Sequence, residues 1–255
     1  MVIITGAIYL CTEQRFPTER LFQLFTSFKK KFPCLQSRDM GSEVHVESLR
    51  DLETQEHVVR YQLPVFVRNR SDSMSIHSSD SESSSSQKNS KGYFNKSTLP
   101  IRLIIIDSIA APFRGEATPI SYPARSQALT AMSDSLKELA HHENCAVVCI
   151  NQISDFVSNG SEESSFEPIR VDDPRGAQMI QGGGKGRVVP TLGLSWSNCI
   201  NVRISLARWN EIREGPSKEQ VQTLRRTMKI EFAPHWPNAE CEFRITENGI
   251  EGVMV

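Results

Sequence analysis

The sequence predicts an α/β fold with a mostly parallel central sheet and an antiparallel edge at its C-terminal end. Three observations carry that expectation. Short, nearly all-apolar runs, of which Leu103-Ile104-Ile105-Ile106 is the clearest, read as strands buried on both faces. Strand, helix and strand follow one another at crossover spacing through the middle of the chain, which implies parallel pairing. From Ile200 onward the pattern changes to strict alternation, the period of an antiparallel strand with one wet face.

In chain order, Ala7 to Thr12 is the first apolar run, with Glu13 just beyond its end. After Phe16-Pro17, Leu21, Leu24, Phe25 and Phe28 fall at helical spacing, and Lys29-Lys30-Lys31 suits a helix C-terminus. Glu43 to Glu47 reads as a weak strand. Ser48-Leu49-Arg50-Asp51 resembles a helix start with Ser48 as cap, and Leu49, Leu52, Val58 and Val59 are expected to face the sheet. Between Asn69 and Pro100 the composition turns to serine, with almost nothing apolar. Such a segment buries too little surface to offset its ordering entropy, so a disordered insert is expected over 69–100. Its Ser79-Asp80-Ser81-Glu82 tetrad has the acidic surroundings of a phosphorylation site, although such tetrads also serve simply as solvated loop.

The central strand ends in Asp107-Ser108, and a loop leads to an amphipathic helix over Ala124 to His142 with Leu129, Met132, Leu136 and Leu139 on its apolar face. Ala146 to Ile150 is a third buried strand, ending in Asn151-Gln152. Residues 153–190, polar and glycine-rich, read as a long mobile loop. Beyond Ile200, Val202, Ile204 and Leu206, strands are expected at Met228 to Phe232 and Cys241 to Ile245, with Glu247-Asn248-Gly249 as a hairpin turn. One domain spanning 1–255 is expected. The net charge of −1 gives no global pull toward nucleic acid, so any DNA contact has to come from locally placed Arg and Lys. The six cysteines form no C-x-x-C pair and read as reduced core residues of an intracellular protein. No apolar run reaches the roughly 18 residues of a membrane span.

Three strands thus deliver one polar residue each to the carboxyl edge of the sheet, where ligands of open α/β sheets bind: Glu13, Asp107 and Gln152. A phosphoryl-transfer site needs a carboxylate that holds magnesium through its water shell or a neighbouring hydroxyl, a carboxylate that activates water, and a polar group that senses the terminal phosphate. Asp107 with Ser108, then Glu13, then Gln152 suit these roles in that order. Strand ends attract polar residues in any α/β protein, so capping and loop-closing roles stay equally open on position alone.

Ile8-Tyr9-Leu10-Cys11-Thr12-Glu13 with Phe16-Pro17 and Glu19-Arg20-Leu21 resembles the second core strand and following helix of the RecA-like recombinases. Ile105-Ile106-Asp107-Ser108-Ile109-Ala110-Ala111-Pro112-Phe113-Arg114 resembles their Walker B strand and first DNA loop, and Val148-Cys149-Ile150-Asn151-Gln152-Ile153 their next strand. The Ala-Pro-Phe-Arg and Cys-Ile-Asn-Gln stretches, with Leu192-Gly193-Leu194-Ser195-Trp196, point within that family to one of its paralogues. The resemblance covers nearly the whole chain. It implies a nuclear DNA-repair protein of homologous recombination, acting on breaks and crosslinks beside the strand-exchange recombinase and a second paralogue. It implies ATP and Mg2+ as ligands and contacts to single-stranded and branched DNA. Carried over, Asp107 is the Walker B acid, Glu13 the water-activating acid and Gln152 the link from nucleotide to the second DNA loop over 153–190. Arg114 and Arg125 flank the first loop, and Lys185 and Arg187 lie in the second. For both flanking arginines, ion pairing or helix capping is the competing role.

One departure is large: the sequence contains no G-x-x-x-x-G-K-[ST]. Gly182-Gly183-Gly184-Lys185-Gly186 is no substitute, because no strand precedes it and no Ser or Thr follows its lysine. The resemblance therefore implies an N-terminally shortened core without its own phosphate loop, strand and helix, with unpaired apolar strand edges and no ATP turnover by the chain alone. The alternative function is a non-catalytic or unstable isoform that only binds partner paralogues.

Overall fold

The computed structural model describes residues 5–77, 99–114, 120–156, 187–214 and 220–253. Where the sequence leads one to expect a single domain, the chain groups into two compact units: Met1–Phe22 with Cys34–Gln152 and Leu194–Cys199, and Gln23–Pro33 with Ile153–Gly193 and Ile200–Val255.

The first unit is built on a four-stranded parallel sheet. Strand β1 (Gly6–Cys11) is followed by helix α1 (Thr18–Lys31), whose C-terminal part belongs to the second unit. The lysine run closes α1 as expected, but none of its residues is fully buried, and Phe22 and Phe28 are about half exposed. Strand β2 (Val44–Ser48) pairs parallel with β1. Ser48 is the last rung of that ladder and does not cap a helix, correcting the sequence expectation. The cap is Asp51, whose extended backbone lets its carboxylate accept from the Thr54 N–H at 2.7 Å.

Asp51 opens a continuous helical run of α2 (Leu52–His57), a π-turn over Val58–Gln62 and α3 (Leu63–His77). Pro64 accounts for the π-turn: it has no N–H for the carbonyl one turn back and its ring crowds that carbonyl, so the helix widens, with the Leu63 N–H reaching Val58 O. Leu49, Leu52, Val58 and Val59 are all buried, as their spacing predicts. Because α3 continues to His77, the expected insert does not begin at Asn69; residues 78–98, with most of the serine tract and its tetrad, lie outside the described residues.

Strand β3 (Ile101–Asp107) pairs parallel with β1, and helix α4 (Tyr122–His142) crosses over to β4 (Ala146–Ile150), which pairs parallel with β3. The order is β2-β1-β3-β4. Helix α4 begins two residues earlier than its apolar pattern, because Ser121 caps it by accepting from the Ala124 N–H and Pro123 sits in its first turn. Its apolar set is fully buried. The expectation that β4 is buried on both faces fails: among the described residues it is an edge strand, with Val148 46 % and Ile150 39 % exposed.

In the second unit, β5 (Ile153–Phe156) and β6 (Arg187–Pro190) pair antiparallel, so the two ends of the expected loop are strands, and 157–186 lie outside the described residues. After the short helix α5 (Gly193–Ser197), which from Leu194 on belongs to the first unit, four antiparallel strands follow: β7 (Arg203–Glu214), β8 (Gln220–Phe232), β9 (Glu240–Thr246) and β10 (Gly249–Gly252). Among the described residues they form a sheet of their own, order β10-β9-β8-β7, instead of the expected antiparallel edge on the parallel sheet. The turn between β9 and β10 is Glu247-Asn248, and Gly249 takes the positive φ of 131° that a side chain disfavours. The six cysteines are free; Cys11 is buried, whereas Cys34 and Cys241 are exposed and not core residues. Among the described residues no helix is long and apolar enough to cross a membrane.

Candidate functional site

Backbone hydrogen bonds and one hydroxyl tie the strand ends of the first unit together. Cys11 O accepts from the Leu49 N–H at 2.7 Å, Asp107 O from the Thr12 N–H at 2.8 Å, and Ile150 O from the Ile109 N–H at 3.0 Å. Thr12 Oγ1 donates to Ser108 O at 2.9 Å and accepts from the Ser108 N–H at 2.7 Å. The Asp107–Ser108 peptide is cis. Ser108 is buried at 1 % exposure, and its Oγ accepts from the Ala111 N–H at 3.1 Å. That bond starts a 3-10 turn over Ala111–Arg114, which carries Arg114 to the carboxyl edge of the sheet.

At that edge the side chains form two linked groups. In the first, Tyr9 donates its hydroxyl proton to Asp107 Oδ2 at 2.5 Å, and its ring packs edge-on against Phe16 at 4.9 Å. Burial, followed by the bond and charge of Asp107, raises the Tyr9 pKa far above the ordinary phenol value. Burial and the Asp107 charge likewise raise the Cys11 thiol. In the second group, Gln152 Nε2 donates to Glu13 Oε2 at 2.5 Å, while Arg114 donates through one nitrogen to Gln152 Oε1 and through the other to Glu13 Oε1. Glu13, Asp107 and Gln152 also line one cavity of about 290 Å³, with Tyr9, Arg15 and Phe16 among its other walls.

Thus the structure brings together Glu13, Asp107, Gln152 and Arg114, with Ser108 directly beneath. Arg125 stands apart from them: its guanidinium lies over the Phe113 ring, 5.5 Å from the centroid, and burial lowers its pKa. Arg187 is the first residue of β6, paired with Phe156 in the ladder, and Lys185 lies outside the described residues. Sequence reasoning missed Tyr9 and Thr12 as site residues. The available signal was parity: Tyr9 precedes Cys11 by two, and Cys11 is in register with Asp107, so a phenol on that face sits one rung below the carboxylate.

Chemically, a carboxylate with one oxygen held by a phenol fits the habit of a magnesium ion, which keeps most of its waters and takes one or two carboxylates. Among the described residues no cluster of three or more His, Cys, Asp or Glu competes as a metal cage.

No family model matches the chain. Individual proteins do. It is 28 % identical over 261 residues to the DNA repair protein XRCC3 homolog of Arabidopsis thaliana, covering 98 % of this chain and 75 % of that protein. It is 27 % identical over 255 residues to mouse DNA repair protein XRCC3 and 26 % identical over 263 residues to DNA repair protein rhp57 of Schizosaccharomyces pombe. The chain spans 60 % of the mouse protein's length and 63 % of the yeast protein's. Similarity over almost the whole chain, to several DNA-repair proteins at once, agrees with the strand-end motifs: the chain is similar throughout to paralogues of the RecA-like recombinases.

Proposed function

We propose that the chain is a DNA-repair protein of homologous recombination, a mediator subunit that works in the nucleus beside the strand-exchange recombinase and a second paralogue. The observation that carries this reading is the meeting of Glu13, Asp107 and Gln152 at the ends of three adjacent parallel strands, with Arg114 drawn in from the following turn. In that reading Asp107 stands where Mg2+ with its water shell would be held, while Ser108, expected from the sequence to share that role, is buried with its hydroxyl on the Ala111 N–H and sets the turn instead; Glu13 orients a water, and Gln152 passes the state of the site toward residues 153–190. Arg114, Arg125, Lys185 and Arg187 are the cations for phosphodiester contacts.

On the metal side, Asp107 is the lining carboxylate that supports a hydrated Mg2+ in this reading. A triphosphate fits less well, because among the described residues lining the cavity the only cation is Arg15 and there is no phosphate-cradling glycine loop. Every step assigned here therefore belongs to the chain's own residues, and ATP turnover by the chain alone is expected to equal that of Asp107→Asn. The test of the main reading is anisotropy of a labelled single strand and of a branched junction, together with co-purification of the recombinase. Saturable, salt-dependent binding and recovery of the partner are expected. Failure of both DNA binding and partner recovery would overturn the proposal.

A further inference from the structure

The Glu13, Arg114 and Gln152 network closes on itself. Both carboxylate oxygens of Glu13 accept, one from Arg114 and one from Gln152, and both polar atoms of the Gln152 amide are engaged. Both oxygens of the group that would orient water are therefore engaged by its own neighbours. The network is not what holds the strand ends, which the bonds of Thr12, Ser108 and Ile109 already fix. It is also exposed, the Arg114 and Glu13 side chains being 46 % and 37 % accessible. An ion pair so open to water is held weakly and exchanges readily with a competing anion.

We infer that Arg114 is an anion-exchanged latch on Glu13: a phosphodiester of a single-stranded nucleic acid takes the guanidinium from Glu13 and Gln152, releasing an oxygen of each. The inference rests on the proposed DNA-binding function and adds a regulatory step to it. A guanidinium offers a phosphate the same planar fork it offers a carboxylate, so one side chain serves both partners in turn and serves them exclusively. No bond other than hydrogen bonds changes, and the net charge at the edge falls by one when the phosphate replaces the carboxylate. Arg114 thus touches the nucleic acid directly and acts on the carboxyl edge of the sheet through Glu13 and Gln152.

Competition of this kind has a signature that simple charge does not. The affinity of the full chain for a labelled oligo(dT) is measured for the wild type, Glu13→Gln, Arg114→Gln and the double variant. Removing the internal competitor is expected to tighten binding on the order of three- to fivefold, the scale of an exposed ion pair. In the Arg114→Gln background the same change is expected to do nothing. Arg114→Lys, which keeps the charge and loses the fork, should respond to Glu13→Gln by less than the wild type. An equal gain in the wild-type and Arg114→Gln backgrounds would mean that Glu13 merely repels phosphates, and an unchanged affinity would mean that the pair is static; either overturns the latch and leaves the DNA-binding function standing. Absence of binding by every variant, wild type included, overturns that function and the latch with it. If Glu13→Gln does not fold, Gln152→Ala removes the other acceptor of Arg114. A smaller gain, again lost with Arg114→Gln, is expected, and an equal gain in both backgrounds would again overturn the latch.

Discussion

The two faces of the parallel sheet are made by the same strands and carry different loads. On one face Ile8, Leu10, Ile104 and Ile106 are between 0 % and 4 % exposed, and Val59, Leu63, Val67, Leu129 and Met132 of the neighbouring helices are buried too. On the other lie the half-buried Tyr9, Ile105 and Asp107 and one buried residue, Cys11, ending in the exposed Val148 and Ile150 of β4. Since side chains alternate along a strand, one run such as Ile104-Ile105-Ile106-Asp107 feeds both faces at once. The difference teaches where stability and chemistry reside: the covered face supplies the folding free energy, and the open face ends in the Tyr9–Asp107 pair.

The comparison is sharpened most by Ile104→Ala. Its side chain is wholly buried in the middle of the covered face, so truncation loses transfer free energy and leaves a cavity, for a loss of about 3 kcal/mol. Urea unfolding of the two proteins measures it. Tyr9→Phe probes the open face. It deletes a hydrogen bond to a carboxylate and leaves the ring against Phe16, so a smaller loss of about 1.5 kcal/mol is expected at neutral pH. The sign of its pH dependence follows from the raised pKa. A phenol that keeps its proton longer when folded contributes stability that is complete below its unfolded value near 10 and drains away as pH rises toward the folded value. The gap between wild type and Tyr9→Phe should therefore be constant below about pH 9 and shrink above about pH 10, and ultraviolet absorbance of the phenolate should show one phenol titrating late. A gap that widens with alkali would contradict the assignment. Ser121→Ala returns to the covered side, since α4 lies over it. Loss of a serine cap at a 3.4 Å bond should cost about 0.5–1 kcal/mol, read as a shift in melting temperature.

Strand existence and pairing were legible because apolar runs of this length, separated by one helical segment, leave few alternatives. Which face is covered was not. Ala146-Val147-Val148-Cys149-Ile150 looks the same whether one face or two are packed, and only the placement of the other elements distinguishes them. Nor was the antiparallel sheet's independence legible, since alternation in Ile204 and Leu206 defines a strand and not its neighbours. At the site, Glu13, Asp107 and Gln152 were found by position at strand ends. The pairing of Arg114 with Glu13 was not, because a contact across 101 residues of sequence depends on how a 3-10 turn aims one side chain. Tyr9 was hidden by its ring, which counts as apolar filler until the register places its hydroxyl beside Asp107.

Val148→Thr is the change expected to do least, and it bears hardest on the comparison. Threonine keeps the branched shape that suits a strand and replaces a methyl with a hydroxyl of similar size. On a face open to water the hydroxyl is solvated and the loss should stay within about 0.5 kcal/mol, a fraction of the effect at Ile104 one rung away on the neighbouring strand. On a covered face the same hydroxyl would be stripped of water without a partner, at a cost of roughly 1–3 kcal/mol. A urea midpoint for Val148→Thr that falls as far as that of Ile104→Ala would show that both faces are core, and the division of labour between them would have to be abandoned.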